Sequence, residues 1–479
     1  MEDPCGCRGK SDEYHFHGGK GGGRMNQYRK LIVGISSIRG VVGERLQPSL
    51  AADFAASFGG YVGKGTVLVA RDTRPSGIML EHAVISGLLS AGCKVISAGI
   101  LPTPSLQLAV KEHNCSGAIA ITASQHPQEC NALRFINQEG MYLSDQEMSA
   151  LFDIYNQPED GFIRESGYQS LSYNQDLFEE HAKKIWSRID TAAIRAANLK
   201  IAIDCCNGVS AVYTKRFLKN LGVDEIFALN ETPNGIFNHC PEMVAENLTE
   251  LSECVRTNHC DAGFAQDPDG DSIILLDETG KVYSDQKSML IPCKRVLERT
   301  PGNVSASIQT TAALEELVKA SGGKVFYTKI GEANIGLSVV QNKTVLGAEG
   351  GGIIWPEIHP CRDSFAAMAL TLEKIACAKL KVSEIMKQMP EYHSALITLP
   401  CNAQSAEEAI RALASAYERF HPEHLDGVRI SMGKVWALIR KSYSESALKI
   451  YVESAVSKVD AEGVAETFRT ELEKYLSGV

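Results

Sequence analysis

No Cys-x-x-Cys pair occurs among the 14 cysteines, so the spacing of a zinc ribbon is absent. Only Cys5/Cys7 and the neighbours Cys205/Cys206 lie close together; the others are scattered singly. No basic-then-apolar leader stands at the N-terminus, so reduced thiols in a cytoplasmic protein are expected. Long apolar runs are missing too. The least polar stretch, Val95 to Val110, contains two prolines, which speaks against a membrane span. Positive charge is in deficit: 48 Lys and Arg face 58 Asp and Glu, a formal charge of −10, which speaks against a nucleic-acid partner. The hydrophobic fraction of 44% and charged fraction of 22% exclude a disordered or fibrous chain. A length of 479 residues, at roughly 150 per domain, suggests three to four domains.

Met1 to Arg24 is poor in apolar residues and holds Gly18, Gly19, Gly21, Gly22 and Gly23. Such a segment cannot offset its ordering entropy, so residues 1–30 are expected to be a disordered tail. Cys5, Cys7, His15 and His17 could bind a metal there, against the plainer reading of a floppy tail. The glycines are not a phosphate loop, because no Gly-Lys-Ser/Thr follows them at the required spacing.

What is present is a repeat. Thr66 to Ala70 reads as a strand, Arg71 to Gly77 as a polar turn, then a helix runs to Ser90, and Lys94 to Ser97 is a second strand. The order returns at Lys200 to Ile203, Asp204 to Gly208, a helix to Asn220, and Glu225 to Ala228. It returns again at Asn303 to Ile308, a helix to Ala320, Gly322-Gly323, and Lys324 to Tyr327. Strand, turn, helix, glycine, strand is the βαβ signature of a parallel sheet covered by helices. From about Tyr392 the order changes to strand, helix, hairpin, strand, helix, as in a small α+β domain. The expected fold is α/β: three tandem βαβ-type mixed-sheet domains and a C-terminal α+β domain. The divisions are 31–170, 171–280, 281–391 and 392–479.

Four loops carry candidate chemistry, about one per domain, at the strand ends where α/β proteins place their sites. Thr122-Ala123-Ser124-Gln125-His126-Pro127 offers a nucleophile or phosphate carrier, or only a solvated turn; the Gly-x-Ser-x-Gly elbow is absent. Asp267-Pro268-Asp269-Gly270-Asp271 places three carboxylates at alternate positions, whose repulsion a hard cation such as Mg²⁺ or Ca²⁺ would relieve. It is not an EF-hand, since a strand pattern follows it. Gly347 to Gly352 permits close backbone approach to a ligand or is a plain flexible turn. Arg440 to Ser446, with Lys449 beyond, suits a phosphate or is a solvated charged loop.

Taken in order, these loops resemble those of the α-D-phosphohexomutase superfamily. Ser36-Ser37-Ile38-Arg39-Gly40 resembles its Ser-Gly-x-Arg-Gly, and Arg71 to Gly77 its Arg-Asp-x-Arg-x-Ser-Gly. Leu101-Pro102-Thr103-Pro104 also recurs there. Thr122 to Pro127 resembles the phosphoserine loop, Asp267 to Asp271 the metal loop, Gly347 to Gly352 the sugar loop, and Arg440 to Ser446 the phosphate loop. Ile330 to Asn334, Trp355-Pro356-Glu357 and Arg362-Asp363 look most like the branch with archaeal phosphoglucosamine mutases.

The resemblance implies four domains around one central cleft and a phosphoryl group moving between the 1- and 6-positions of a hexose phosphate through a bisphosphate. It implies Ser124 as phosphoserine, with His126, Arg134 and Arg39 as further catalytic groups. It implies Mg²⁺ on Asp267, Asp269, Asp271 and phosphorylated Ser124. Substrate contacts fall on Glu349, Gly350, Gly351, Arg440, Ser442, Ser444 and Lys449. Departures are visible as well. Gln125-His126 replaces His-Asn, Arg134 stands for a lysine, Ser272 stands for an arginine, and the sugar and phosphate loops are altered. Arg39, Arg74 and Arg134 are expected to face the cleft and make up part of the missing charge, and Ser272→Arg to raise the rate. Two other readings stay open: a sugar-phosphate-binding relative with impaired turnover, and a metal-dependent phosphatase with an aspartyl nucleophile.

Overall fold

The computed structural model describes residues 32–34, 36–157, 170–442 and 446–477. The tail of residues 1–30, with its cysteines and histidines, lies outside the described residues. Thr66–Arg71 and Lys94–Ile100 run parallel because helix Gly77–Ser90 carries the chain back between them. A second helix, Thr103–Glu112, returns it to Gly117–Ile121, parallel to Thr66–Arg71 on its other side. A tight connection then reverses the chain into Cys130–Ile136, antiparallel to Gly117–Ile121. The central strands read Val67-Leu68-Val69-Ala70 and Gly117-Ala118-Ile119-Ala120-Ile121, all buried, as strands covered on both faces must be.

The same four-strand order recurs twice. In the second sheet it is Ile273–Asp277, Ala262–Gln266, Lys200–Asp204, Glu225–Leu229; in the third, Gly352–Ile354, Leu346–Glu349, Val304–Ser307, Val325–Thr328. Each unit therefore ends in one antiparallel hairpin beside two parallel pairs, so the sheets are mixed. The first sheet is widened to seven strands by Ile32–Val33 and Ser37–Val41 at one edge and Leu171–Tyr173 at the other. Leu171–Tyr173, on the far side of the division at 170, thus pairs with Lys94–Ile100 of the first unit. The C-terminal unit is wholly antiparallel, in the order His393–Pro400, Ala447–Ser454, Val435–Lys441, Val428–Met432. Its helix Ala403–Ala416 stops short of Phe420, and Glu418–Phe420 continues as a 3₁₀ turn.

The units are held together through helix Ser364–Ala378, of whose 15 residues 12 are buried, so it has no solvent face. Phe365 packs edge-on against Phe178 and Phe217 at 5.1 and 5.2 Å between ring centres, which joins it to helices Leu177–Trp186 and Ser210–Leu221. The start of the helix is fixed by Asp363, whose carboxylate accepts from the N–H groups of Phe365 and Ala366. Its other oxygen accepts from His181 Nε2 at 2.8 Å and His359 Nε2 at 3.3 Å, and His181 meets Ser105 of the first unit at 2.9 Å. Burial alone would raise the Asp363 carboxyl, but the two imidazoles hold it below the usual carboxylate range. A smaller apolar patch of Ile308, Trp436, Leu438 and Tyr451 seats the C-terminal unit on the third.

Phe365→Ala is expected to cost about 3–5 kcal/mol, the usual penalty for emptying a fully buried aromatic site. Denaturant unfolding followed by tryptophan fluorescence measures it. A loss below about 1 kcal/mol would mean that the ring is not central to the packing.

Candidate active site

The serine loop is the hairpin connection between Gly117–Ile121 and Cys130–Ile136. Ser124 sits at its crest with φ +48, a left-handed backbone that serine rarely adopts. Arg74 holds it there. Its guanidinium lies under the loop with no solvent exposure and donates to the carbonyls of Ser124 (2.7 Å), His126 (2.8 Å), Pro127 (2.6 Å) and Cys130 (3.0 Å). Its Nε pairs with Asp72 at 3.0 Å, and Asp72 also accepts from Thr122 Oγ1. Every arm of the guanidinium is engaged, so Arg74 shapes the loop from beneath. The expectation that it faces the cleft is corrected: four loop carbonyls converge on it and take up its donors.

The metal loop is the equivalent hairpin connection of the second unit. Asp267, Asp269 and Asp271 are buried, and one oxygen from each lies within 4.8 Å of the others. Gly270, at φ +72, makes the turn that folds them inward. Ser124 Oγ donates to Asp267 Oδ2 at 2.6 Å, across 143 residues of sequence. Asp267 Oδ1 accepts from the N–H groups of Asp271 and Ser272. Asp269 Oδ2 accepts from Thr103 Oγ1 at 2.7 Å and Arg134 Nη1 at 3.1 Å. Asp271 meets Arg362 Nη2 at 3.1 Å through both oxygens, and Arg134 at 3.3 Å. Burial and then the charge of Asp271 push the Asp267 and Asp269 carboxyls up. Burial acts on Asp271 too, but Arg362 and Arg134 overcome it and hold that carboxyl low. Asp269 Oδ1 is buried with no hydrogen-bond partner. An orphaned carboxylate oxygen among three converging carboxylates is the chemistry a hard divalent cation satisfies, so the residues fit one.

Arg39 and Arg134 come to the serine loop by register. Ser37 faces Arg134 and Arg39 faces Ala132 in the antiparallel pair, so both arginines leave the same face two residues apart. Arg39 Nη1 contacts His126 Nε2. A guanidinium only donates, so Nε2 is the acceptor and the imidazole proton is on Nδ1. Burial, then Arg39, Arg74 and Arg134, push the His126 pKa down to about 3, so the ring is neutral. Arg134 also donates to Tyr142 Oη at 2.7 Å and stacks on its ring.

The glycine-rich loop is the hairpin connection of the third unit, closed by the pair Glu349 and Gly352 with only Gly350 and Gly351 between. Ala348 is buried within the strand, so Glu349 is the acidic residue at the turn. The turn abuts the metal loop, since Ile273 N–H donates to the Gly351 carbonyl at 2.7 Å. A Cβ at Gly350 would stand 2.1 Å from Asp285 Oδ2, so a larger residue there would have to displace that carboxylate. Glu349 Oε1 accepts from Gly331 N–H at 2.9 Å, and its Oε2 lies 3.9 Å from Arg362 Nη1.

Ser124, His126, Arg39, Arg134 and the three aspartates thus form one cluster, and Glu349, Gly350 and Gly351 adjoin it through Arg362. The phosphate-loop residues form a second group on the C-terminal sheet. Arg440 faces Lys449 in the register, Lys449 Nζ meets Thr398 Oγ1 at 2.9 Å, and Ser442 N–H donates to the Ala447 carbonyl. Ser444 lies outside the described residues. One contact between the third and C-terminal units lies near the glycine turn: Asp426 accepts from Ile330 N–H at 3.1 Å, one residue from the Gly331 that holds Glu349. Sequence reasoning assigned no role to Thr103, Glu332 or Arg362. Thr103 and Arg362 stand inside quoted motifs, but their acidic partners lie 166 and 91 residues away.

Models of the phosphoglucomutase/phosphomannomutase α/β/α domains I, II and III match residues 30–161, 179–280 and 284–392. A probable phosphoglucosamine mutase of Methanopyrus kandleri is 32% identical over 431 residues, 88% of this chain and 93% of that protein. A phosphoglucomutase/phosphomannomutase of Thermococcus kodakarensis is 30% identical over 434 residues, 88% of this chain and 94% of the other. The crystal structure of a phosphoglucomutase/phosphomannomutase family protein from Burkholderia thailandensis superposes with a TM-score of 0.80 at 24% identity, over 92% of this chain and 97% of that one. The chain belongs to the phosphoglucomutase/phosphomannomutase family within the α-D-phosphohexomutase superfamily. It is accordingly a phosphohexomutase, an isomerase that relocates a phosphoryl group.

Position 272 reverses an expectation. Ser272 is 2% exposed, its hydroxyl donates to Asp271 at 2.5 Å, and its Cβ lies 3.8 Å from where a Cβ on Gly351 would be. Two guanidiniums already meet Asp271, and position 272 is buried beside them. Ser272→Arg is expected to lower turnover and to cost about 1–3 kcal/mol through overpacking. Turnover and the unfolding midpoint of the variant report both, and a raised kcat would show that the pocket admits the larger side chain.

Proposed function

We propose that the chain interconverts the 1- and 6-phosphates of a hexose, with Ser124 as phosphoryl carrier and Mg²⁺ on the aspartates. The observation that carries this reading is the 2.6 Å contact of Ser124 Oγ with Asp267, which seats a strand-end hydroxyl on a buried carboxylate triad. Asp267, Asp269 and Asp271 would hold the cation together with an oxygen of phosphorylated Ser124. When bound, the cation supplies charge stabilisation to the phosphoryl oxygens.

Phosphoryl transfer needs positioning and charge more than covalent help, and the chain's own groups provide both. Arg74 fixes the serine at the crest of its loop. Arg39 and Arg134 bring positive charge to the oxygens that carry the transferring group. In the first transfer the bond between Ser124 Oγ and phosphorus breaks and a sugar hydroxyl oxygen takes the phosphoryl group. That hydroxyl proton goes to His126 Nε2, the ring's one lone pair, as Arg39 leaves it for the phosphoryl oxygens and a dianion on Ser124 offsets the guanidiniums that depress the ring. The resulting bisphosphate turns over and returns its other phosphoryl group to Ser124. Turning over requires contacts that serve either end of the sugar. Glu349 with Gly350 and Gly351 is placed to meet its hydroxyls, and Arg440, Ser442, Ser444 and Lys449 to meet the distant phosphate.

The four units, divided near 170, 280 and 391, each give one loop to this site in our reading. Buried thiols such as Cys93, Cys205, Cys206, Cys293 and Cys361 suit a reducing cytoplasm. Among the described residues no helix is long and apolar enough to cross a membrane. An aspartyl nucleophile is disfavoured because Asp267 already accepts from Ser124 and two backbone N–H groups. The impaired-relative reading has no observation in its favour, since the serine, triad and cationic groups stand assembled.

Ser124→Ala is expected to abolish mutase turnover on a panel of glucose, mannose and glucosamine phosphates while the protein stays folded, at a stability cost of about 1–3 kcal/mol for the lost donor to Asp267. Mass spectrometry of the parent protein should find an acid-stable phosphoryl group on Ser124. Full turnover in the alanine variant would reject the assignment. Asp269→Asn removes about 4 kcal/mol of attraction for the cation at an effective dielectric near 20, before relief of repulsion between the carboxylates. Calorimetry should therefore find Mg²⁺ binding weakened by about tenfold or more, and equal affinity in the two proteins would make the triad a structural turn only.

A further inference from the structure

The Arg362 side chain reaches from the metal loop to the acidic residue of the glycine turn. Its Nη2 donates to both oxygens of Asp271 at 3.1 Å, its Nε lies 3.4 Å from Glu332 Oε2, and its Nη1 lies 3.9 Å from Glu349 Oε2. Those three acids come from three separate chain segments. Its path is built for it: a Cβ at Gly352 would stand 2.6 Å from Arg362 Cδ, so the side chain crosses the hairpin only because residue 352 is glycine. Its backbone is pinned on both sides, by a bridge to Ile354 and by the next residue, Asp363, under His181 and His359. The side chain keeps 15% of its surface exposed, and its Nε has no hydrogen bond. A guanidinium held this firmly, with donors to spare, acts on its surroundings more than it fills space.

We propose that Arg362 is a positioning residue for phosphoryl transfer. It sets Asp271 and Glu349 against each other, so that the cation and the sugar meet in one geometry, and it competes with the cation for Asp271. This rests on the mutase reading above. The two halves of the role have opposite signs. Loss of the guanidinium relieves the competition, so Mg²⁺ binds more tightly. It also frees the glycine turn from the metal loop, so turnover falls. A side chain that served only as a structural brace would do otherwise, because its loss would loosen the triad and weaken Mg²⁺.

The test compares the full-length parent with Arg362→Gly and Arg362→Lys. Mg²⁺ affinity is read by calorimetry and kcat on glucose, mannose and glucosamine 6-phosphates. Arg362→Gly is expected to bind Mg²⁺ about three- to tenfold more tightly. Its kcat is expected to fall about 10²-fold, as for other preorganised charged donors. Added guanidinium ion at non-denaturing concentration is expected to restore part of kcat and to weaken Mg²⁺ again. Arg362→Lys keeps the charge but not the fork, so it is expected to hold Mg²⁺ as the parent does while kcat stays low. Weaker Mg²⁺ binding in both variants, no rescue by guanidinium, or parent-like kcat in Arg362→Gly would each overturn the proposal. A parent that turns over no hexose phosphate would instead defeat the mutase reading, and the Mg²⁺ titrations would still decide the role of Arg362.

Discussion

Three buried carboxylates within 4.8 Å of one another are the constraint around which the site is arranged. Each pair repels by about 3–4 kcal/mol at an effective dielectric near 20, and burial removes the water that would soften it. The chain answers from five directions. Backbone N–H groups of the loop itself serve Asp267, and Thr103 from a helix N-terminus serves Asp269. Arg134 arrives from the first sheet and Arg362 from beyond the glycine turn. Ser124 completes the ring. Together these partners offset much of the repulsion among the inward-folded carboxylates. With them, one oxygen of Asp269 is still left without a partner.

The convergence follows from topology. The serine loop, the metal loop and the glycine turn are the same element in three copies of one unit, the connection of the terminal antiparallel hairpin. In each copy that hairpin lies beside the first parallel strand, so its tip emerges at a fixed place relative to the sheet. Helix Ser364–Ala378 joins the second and third copies, and His181, bound to Asp363 at the start of that helix, meets Ser105 of the first, so the three tips come together. The turn after the first strand becomes support. Arg74 from that turn in the first unit carries the serine loop, and Thr73 beside it donates to the carbonyl of Asn207 in the equivalent turn of the second.

Much of this was legible in the sequence, and the boundary between what was and what was not is physical. The βαβ units show because apolar strands, turns and glycines are local signals. The aspartate loop shows because its three carboxylates repel over five adjacent positions. Arg74 and Arg362 show only as charges. Their roles depend on partners 50 and 91 residues away, and a buried guanidinium reads in sequence exactly as a solvated one does. Position 272 misled for the same reason. An arginine looks absent there, whereas the charge reaches Asp271 from residue 362 and the hydroxyl of Ser272 fits where a longer side chain would not. The equivalence of the three hairpin tips was hidden as well, since their sequences share nothing but brevity.

On the proposed reading, charge balance would join a phosphoryl group and a cation at this site. With the three aspartates ionised, as a bound cation would hold them, Arg134 and Arg362 return two positive charges, so these five side chains together leave a single negative charge at the triad. A divalent cation alone reverses that sign, and a phosphoryl dianion alone deepens it threefold; both are costly where water is excluded. Arriving together they are a neutral pair and leave the balance where it stood. The same reasoning explains why His126 is neutral beside three guanidiniums. On the proposed reading a dianion on Ser124 would offset their field, and the imidazole could then accept a proton. Phosphoryl group, cation and proton acceptor would in that case be coupled through one electrostatic balance whose zero the arginines set.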